Sequence, residues 1–180
     1  RLKSLCLFIA SELDIKADSR EKLNKAAALS KVDLTTAMVR EFPELQGIVG
    51  SSYAQKEGYD SEVTTAIYEQ YLPRQSNDRL PESVLGMILA FADKFDNLVW
   101  LFLSGIQSTG SEDPYGLRRN ANGLISIWFN LDTRFRLSLD KLLYESIKLV
   151  DKKFSVSSDT LKEKLRNFLK EIFPHTRALF

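Results

Sequence analysis

Glu82–Leu103 reads ESVLGMILAFADKFDNLVWLFL, and this stretch decides the fold class of the chain. Its large apolar side chains recur every three or four residues, which is the period of one face of an α-helix. The stripe consists of Val84, Ile88, Phe91, Phe95, Leu98 and Phe102. The pattern therefore predicts the longest helix of the molecule, with an apolar face that other elements must cover.

Helical spacing also dominates the rest of the 180 residues, which contain only 8 Gly and 5 Pro. A further helix should begin at Asp113 and Pro114, which suit the cap and the first helical position. We predict an all-α fold, an irregular multi-helix bundle over residues 1–151. Residues 152–180 should form linker helices and the start of a following helical region. The remaining helices are expected over about residues 2–14, 19–29, 34–42, 61–71, 137–151 and 160–173.

The charge balance limits the partners that the whole surface can attract. Lys and Arg total 25 and Asp and Glu total 24, so any surface that binds nucleic acid must be a local patch. No apolar run reaches the roughly 20 residues that a bilayer requires, and no signal peptide is recognisable. We therefore expect a soluble, cytoplasmic protein without a membrane partner.

The two ends of the chain suggest that it is part of a longer protein. It begins at Arg1 rather than at Met, and it stops at Phe180 shortly after a helical pattern. We expect both ends to be cuts within a larger polypeptide.

Most catalytic arrangements require residue types that this chain lacks. One histidine, His175, and one cysteine, Cys6, are present. A Ser-His-Asp triad inside the bundle, a disulfide framework and a His or Cys zinc site are therefore excluded. Cys6 lies in an apolar run and should be buried. Gly47 and Gly50 suit a tight turn or a close helix approach better than a phosphate loop. We predict neither catalytic residues nor a metal site.

Two carboxylates interrupt the apolar stripe of the long helix. Asp93 and Asp96 are three residues apart and therefore share a helix face. They could hold a metal or face an RNA, or each could form a salt bridge with a nearby Lys or Arg. The salt bridge is the commoner arrangement and is the interpretation that we favour.

Three segments of the chain resemble a known family. Lys31–Gly50 reads KVDLTTAMVREFPELQGIVG, with Tyr53-Ala54 close behind. This is similar to K-x-D-L-x-T-x-M-V-x-E-F-x-E-L-Q-G-x-x-G-x-x-Y-A, the signature of the glycyl-tRNA synthetase β subunit. Glu69–Arg74, EQYLPR, resembles its E-H-Y-L-P region, while ADKFDNL at 92–98 and TGSEDPYGLRR at 109–119 resemble A-D-K-x-D-x-L and T-G-S-x-D-P-x-x-L-R-R. The resemblance covers about residues 25–130.

This resemblance carries expectations about activity and partners. In the bacterial α2β2 enzyme, aminoacylation takes place on the α subunit, which uses ATP and Mg, while the β subunit supplies tRNA binding. The resemblance thus implies a part of a glycine–tRNA ligase that is itself non-catalytic and holds no cofactor. Its implied partners are the α subunit and tRNA-Gly, with no role for DNA.

The same family region is related to the HD superfamily, whose hydrolases hold metal ions with His and Asp residues. The resemblance therefore implies a degenerate HD domain, in which Asp33, Asp93 and Asp96 could be remnants of the pocket that now serve as hydrogen-bonding groups. Gln70 stands where the family motif has His. A metal-dependent HD-type phosphohydrolase remains the alternative, but an amide cannot replace imidazole as a ligand with comparable affinity.

The matched segments contain five candidate RNA-binding cations: Lys31, Arg40, Arg74, Arg118 and Arg119. Arg118 and Arg119 fall in the first turns of a helix, where a cation opposes the helix dipole. Either they pair with acids such as Asp93, Asp96 or Glu112, or they face RNA. Adjacent helix residues point about 100° apart, so we favour internal pairing for one of the two. The other three cations could equally be ordinary surface charges.

A third hypothesis is a purely structural module at a subunit interface, which the near-neutral net charge would suit. For the apolar residues of the signature, we expect burial. These residues are Phe42, Leu45, Ile48 and Tyr53.

Overall fold

The computed structural model describes residues 1–75, 77–106, 113, 115–130, 138–149 and 158–172. The regular elements of these residues are all helical, so the prediction of an all-α fold is confirmed. Two 3₁₀ helices, Val32–Thr35 and Pro43–Leu45, lie on either side of α3. The α-helices are α1 (Leu2–Glu12), α2 (Ala17–Leu29), α3 (Ala37–Glu41), α4 (Ile48–Lys56), α5 (Ser61–Glu69), α6 (Val84–Leu103), α7 (Leu117–Asn130), α8 (Leu139–Lys148) and α9 (Ser158–Ile172).

Helix α6 is the centre of the bundle, as its sequence predicts. It packs against α1, α2, α5, α7, α8 and α9. Phe91, Phe95 and Leu98 are fully buried, and the rings of Phe91 and Phe95 stack with centroids 6.5 Å apart. Val84, the first residue of the predicted stripe, is half exposed because it lies in the first turn of the helix. Among the described residues, no helix is long and apolar enough to cross a bilayer.

A buried carboxylate ties the end of α5 to the start of α6. Glu69 accepts hydrogen bonds from the backbone N–H of Glu82 (2.9 Å) and from the hydroxyl of Ser83 (2.5 Å). The Ser83 hydroxyl in turn accepts from the Gly86 N–H at 3.0 Å, which caps the helix. Glu69, the first residue of the EQYLP motif, therefore stabilises the start of the central helix.

The predicted helix over residues 34–42 is wrong. Thr36 has an extended backbone, and its hydroxyl accepts the Val39 N–H at 3.2 Å, so a new helix starts there. The chain forms a 3₁₀ helix and the short α3 instead of one continuous helix. Leu34, Met38 and Phe42, which would have shared one helix face, are exposed.

The expected burial of the signature's apolar side chains is also wrong. Phe42, Ile48 and Tyr53 are 54%, 41% and 46% exposed, and Leu45 is only half-buried. The reason lies in α4, which turns the small side chains Val49 and Ala54 inward, where they are buried. The larger residues are left on the outer face.

Helix α9 packs on the same core as the preceding helices. The ring of Phe168 meets that of Phe102 edge to face, with centroids 5.3 Å apart. The predicted domain boundary near residues 152–159 falls almost entirely outside the described residues, as do Glu112, Pro114 and His175. The boundary and the HD-like character of the bundle stay predictions.

Candidate functional site

Asp33 joins three distant parts of the chain. Its carboxylate, 2% exposed, accepts hydrogen bonds from the Gly47 N–H (2.6 Å) and from the Tyr71 hydroxyl (3.0 Å). Burial, together with the nearby Asp33 charge, raises the pKa of the Tyr71 phenol above its ordinary value. We call Asp33, Gly47 and Tyr71 the Asp33 cluster. Its geometry assigns Asp33 a structural role, since both carboxylate oxygens have protein donors.

The two signature glycines act as the sequence predicts. Gly47 has φ +80°, and a Cβ there would lie 2.8 Å from the Tyr71 ring. At Gly50, a Cβ would lie 3.1 Å from the Ile67 side chain, so α4 approaches α5 closely. The first permits a turn and the second permits close helix packing.

Gln70, at the position of the family's histidine, is fully buried. Its amide NH2 donates to the Ile67 carbonyl at 3.1 Å, while its Oε1 has no protein partner among the described residues. The described part of the chain contains no group of three His, Cys, Asp or Glu residues that could hold a metal ion.

The two carboxylates of α6 form salt bridges, which confirms the interpretation that we favoured. Asp93 pairs with Lys31, and Asp96 pairs with Arg1 at 2.5 Å. The Arg1 guanidinium also lies 4.0 Å from the centre of the Trp100 ring. Asp33, Asp93 and Asp96 therefore each have a partner within the protein, and their origin in a degenerate HD-type pocket stays a prediction.

Cys6 is fully buried, as its apolar sequence context predicts. Burial raises the pKa of its thiol above the ordinary value, and the charges of Asp93 and Asp96 act in the same direction. The thiol thus has the character of an inert core residue.

A cleft of about 550 Å³ opens beside the Asp33 cluster, between residues 31–46, the turn after α5, and helices α6 and α7. Its lining has a positive excess of two charges, since Glu44 and Asp93 offset only part of the cationic charge. We call it the basic cleft and define it by its four cations, which are Lys31, Arg74, Lys94 and Arg119.

Of the four cations of this cleft, Lys94 is the one that was not a candidate in the sequence analysis. It is 6% exposed, and no described residue forms an ion pair or hydrogen bond with its ammonium group. Its stem crosses Gly123 of α7 so closely that a Cβ there would lie 2.6 Å from Lys94 Cε. The signal available in the sequence was a lysine between two core residues, Phe91 and Phe95, of the most apolar helix.

Burial lowers the pKa of Lys94 to about 8. The charge of Asp93 opposes this shift, while those of Lys31 and Arg119 add to it. The ammonium group is therefore held in the cleft at an energetic cost that an anion would relieve.

Three of the five predicted RNA-binding cations meet in the basic cleft. Lys31 is paired with Asp93 there, and the Arg74 guanidinium donates to the carbonyls of Glu44 (2.8 Å) and Gln46 (2.7 Å). Arg119 lines the cleft and is exposed, and its charge has no carboxylate partner among the described residues.

The other two predicted cations lie elsewhere. Arg40 is exposed on α3 and does not line the cleft. Arg118 forms a long ion pair, 3.9 Å, with Glu171 of α9. The prediction that one of the adjacent arginines pairs internally is thus confirmed, although with an acid that the sequence did not suggest. The predicted start of a helix at Asp113 is wrong, because α7 begins at Leu117. The Asp113 carboxylate nevertheless accepts hydrogen bonds from N–H groups in the first turn of α7, those of Arg118 (3.2 Å) and Arg119 (3.1 Å).

Known proteins match this chain over nearly its whole length. The family model described as "Glycyl-tRNA synthetase beta subunit" matches residues 1–176. A protein of Halothermothrix orenii named "Glycine--tRNA ligase beta subunit" is 48% identical over 151 residues, which are 84% of this chain and 22% of that protein.

Two further relatives bear the same name. The Shouchella clausii protein is 42% identical over 97% of this chain and 25% of its own length. The Trichodesmium erythraeum protein is 41% identical over 94% of this chain and 23% of its own length. The chain spans about a quarter of the length of these curated relatives. By the extent of the match, the chain belongs to the glycyl-tRNA synthetase beta subunit family.

Proposed function

We propose that this chain is a tRNA-contacting and scaffolding part of a glycine–tRNA ligase β subunit. The β subunit would present tRNA-Gly to the α subunit, which would use ATP and Mg to attach glycine. The chain itself would carry no catalytic residue. A role in tRNA charging would place the protein in the cytoplasm.

The observation that carries the proposal is the gathering of cations from distant segments in one cleft. The basic cleft is lined by Lys31, Arg74 and Arg119, although 43 positions separate the first two in the sequence and 45 positions separate the last two. RNA is gripped mainly through its phosphates and 2′-hydroxyls, for which cations on a rigid helical surface are suited. A near-neutral chain with a local positive cleft meets that requirement.

Two adjacent arginines provide a matched test. We expect Arg119→Gln in the full-length β subunit to weaken binding of tRNA-Gly and to reduce the slope of log affinity against log salt by about one. Arg118→Gln serves as the control, since it removes the same charge on the side facing α9. Filter binding over a salt series measures both. Equal effects of the two changes, or no effect of either, would contradict the proposal.

A second candidate function, a subunit-interface module, is favoured by the exposed apolar side chains of the signature. Met38, Phe42 and Tyr53 are each about half exposed on the outer surface. Phe42→Ser should weaken association with the α subunit by about tenfold if they form an interface. Val84→Ser, a change at an equally exposed apolar residue of α6, is the control, and analytical ultracentrifugation measures the association.

The phosphohydrolase alternative has less support. It requires acids that are available to a metal ion, whereas Asp33 is occupied by backbone and tyrosine donors and Asp93 by a lysine. Metal analysis of the purified β subunit, together with a nucleotide turnover assay, tests it. A stoichiometric metal with turnover that is lost in Asp33→Asn would revive this function.

A further inference from the structure

Two carboxylates, Asp93 and Asp78, and two cations, Lys31 and Arg119, act on Lys94, so its own positive charge is not offset by its surroundings. Asp93, its nearest carboxylate neighbour in sequence, forms an ion pair with Lys31. Arg119, the other cation facing Lys94, has no carboxylate partner among the described residues. A buried charge without a partner is costly, and the cost is removed when a counter-charge binds beside it.

The cleft has the size and charge for a doubly negative ligand. It opens to solvent with a volume of about 550 Å³, which is more than a phosphate group requires. Its lining carries two uncompensated positive charges. A phosphate monoester, with two negative charges, would neutralise both, whereas a phosphodiester within an RNA strand, with one, would neutralise only one. The lining therefore favours a terminal phosphate over the phosphates within an RNA strand.

The groups around Lys94 can also orient a phosphate. The guanidinium of Arg119 presents a planar fork of donors that suits two phosphate oxygens, and the Lys94 ammonium adds a point charge. The amide of Asn97, one helical turn from Lys94, lines the same cleft. These donors come from α6 and α7, which are packed together, so they are held in position before a ligand arrives.

From this arrangement we propose that Lys94 and Arg119 form a binding site for a terminal phosphate group in the basic cleft. The phosphate can be carried by the 5′ end of an RNA or by a free nucleotide, since both present the same dianion. The RNA source rests on the proposed function, whereas the site itself does not.

The first experiment uses inorganic phosphate as the probe. Isothermal titration calorimetry of the full-length β subunit at pH 7.5 should detect a site that Lys94→Met weakens by at least about tenfold, the loss expected for one charge-assisted contact. Methionine keeps the apolar stem, so the variant should fold. Arg118→Gln, outside the cleft, should bind phosphate as the wild type does.

A second variant displaces the ammonium group without removing it. Gly123→Ala puts a methyl group 2.6 Å from Lys94 Cε, which is closer than two carbon atoms can approach, so the lysine side chain must move. Alanine also has the higher helix propensity, which protects the fold. We expect phosphate affinity to fall about threefold or more, in keeping with a displaced contact. The proposed site would be wrong if Lys94→Met bound phosphate with wild-type affinity, or if Arg118→Gln lost as much phosphate affinity as Lys94→Met.

The source of the phosphate is tested by two pairs of ligands. An RNA hairpin with a 5′-phosphate is compared with the same hairpin bearing a 5′-hydroxyl, and AMP is compared with adenosine. Preference for the phosphorylated member that disappears in Lys94→Met identifies the carrier. If neither phosphorylated ligand binds better than its partner, the inference is wrong.

The two proposals fail in different ways. If Arg119→Gln weakens tRNA binding while Lys94→Met leaves phosphate affinity unchanged, the RNA contact stands and the phosphate site does not. If phosphate binding depends on Lys94 while tRNA binding is unaffected by Arg119→Gln, the phosphate site stands and the RNA contact does not.

Discussion

The Asp33 cluster and the basic cleft adjoin each other, but the charged group of the first has hydrogen-bond partners within the protein and that of the second does not. In the cluster, each carboxylate oxygen of Asp33 accepts a hydrogen bond from a different segment. In the cleft, the Lys94 side chain is buried, its ammonium group has no described partner, and burial lowers its pKa to about 8. Tyr71 belongs to both, since it donates to Asp33 and lines the cleft.

This difference separates motif residues that build the fold from those that remain available to a ligand. A buried polar group whose partners are all present stabilises the native structure. A buried charge without them lowers stability, and such costs are typical of binding sites. Four amino-acid changes or comparisons test this division, in order of decreasing effect on stability.

Removal of the Asp33 carboxylate should have the largest effect. Asp33→Ala leaves the Gly47 N–H and the Tyr71 hydroxyl without their acceptor, which should lower the free energy of unfolding by about 3 kcal/mol. Urea denaturation of the β subunit, monitored by circular dichroism, measures the change. Glu41→Ala, at an exposed position, is the control and should remain within about 0.5 kcal/mol of the wild type. A loss below about 1 kcal/mol for Asp33→Ala would contradict the structural role of this carboxylate.

Lys94→Met should act in the opposite direction. It replaces a buried charge by an apolar side chain of similar length, so the free energy of unfolding should rise by about 2 kcal/mol at pH 7. The same variant should bind phosphate more weakly. Destabilisation by this change would show that Lys94 has a structural role like that of Asp33.

The stability difference between the wild type and Lys94→Met should shrink as the pH rises. Between pH 8 and the ordinary lysine pKa of 10.5, the unfolded state binds more protons at Lys94 than the folded state does, so wild-type stability increases with pH. From pH 7 to 9.5 the difference should narrow by about 1–2 kcal/mol. The charges of Asp93, Asp78, Lys31 and Arg119 act on Lys94 in both measurements. Urea titrations of both proteins at the two pH values measure the stability difference, and an equal difference at both would contradict this prediction.

Tyr71→Phe should have the smallest effect. It removes one of the two hydrogen bonds to Asp33 and leaves the aromatic ring in place, which should cost about 1 kcal/mol. In combination with Asp33→Ala, it should cost almost nothing further, because the contact is already lost. A double-mutant cycle based on urea denaturation provides this test, and full additivity would argue against the direct contact.

Features that depend on neighbouring residues were predictable from the sequence. The helical period of Glu82–Leu103 and the burial of Cys6 are local patterns, and both are present in the structure. The interrupted helix over residues 34–42 was missed because Thr36 competes as a helix cap, an alternative that apolar spacing alone does not reveal.

The candidate site was only partly predictable for a related reason. Five cations were suggested by their motifs, yet the structure brings Lys31, Arg74 and Arg119 together and leaves Arg40 and Arg118 outside the cleft. The partner of Arg118 is Glu171, which lies 53 positions further along the chain. Spacing within a helix gives no information about contacts between segments so far apart.

Periodicity and motifs are properties of consecutive residues, so the all-α class, the central helix and the family were predictable without a structure. The burial of individual side chains, in contrast, depends on how the helices pack. Phe42 is apolar and exposed, whereas Lys94 is charged and enclosed, because burial depends on the helices that pack over a residue. The same packing brings Gly123 against the stem of Lys94 and holds its ammonium group in the basic cleft.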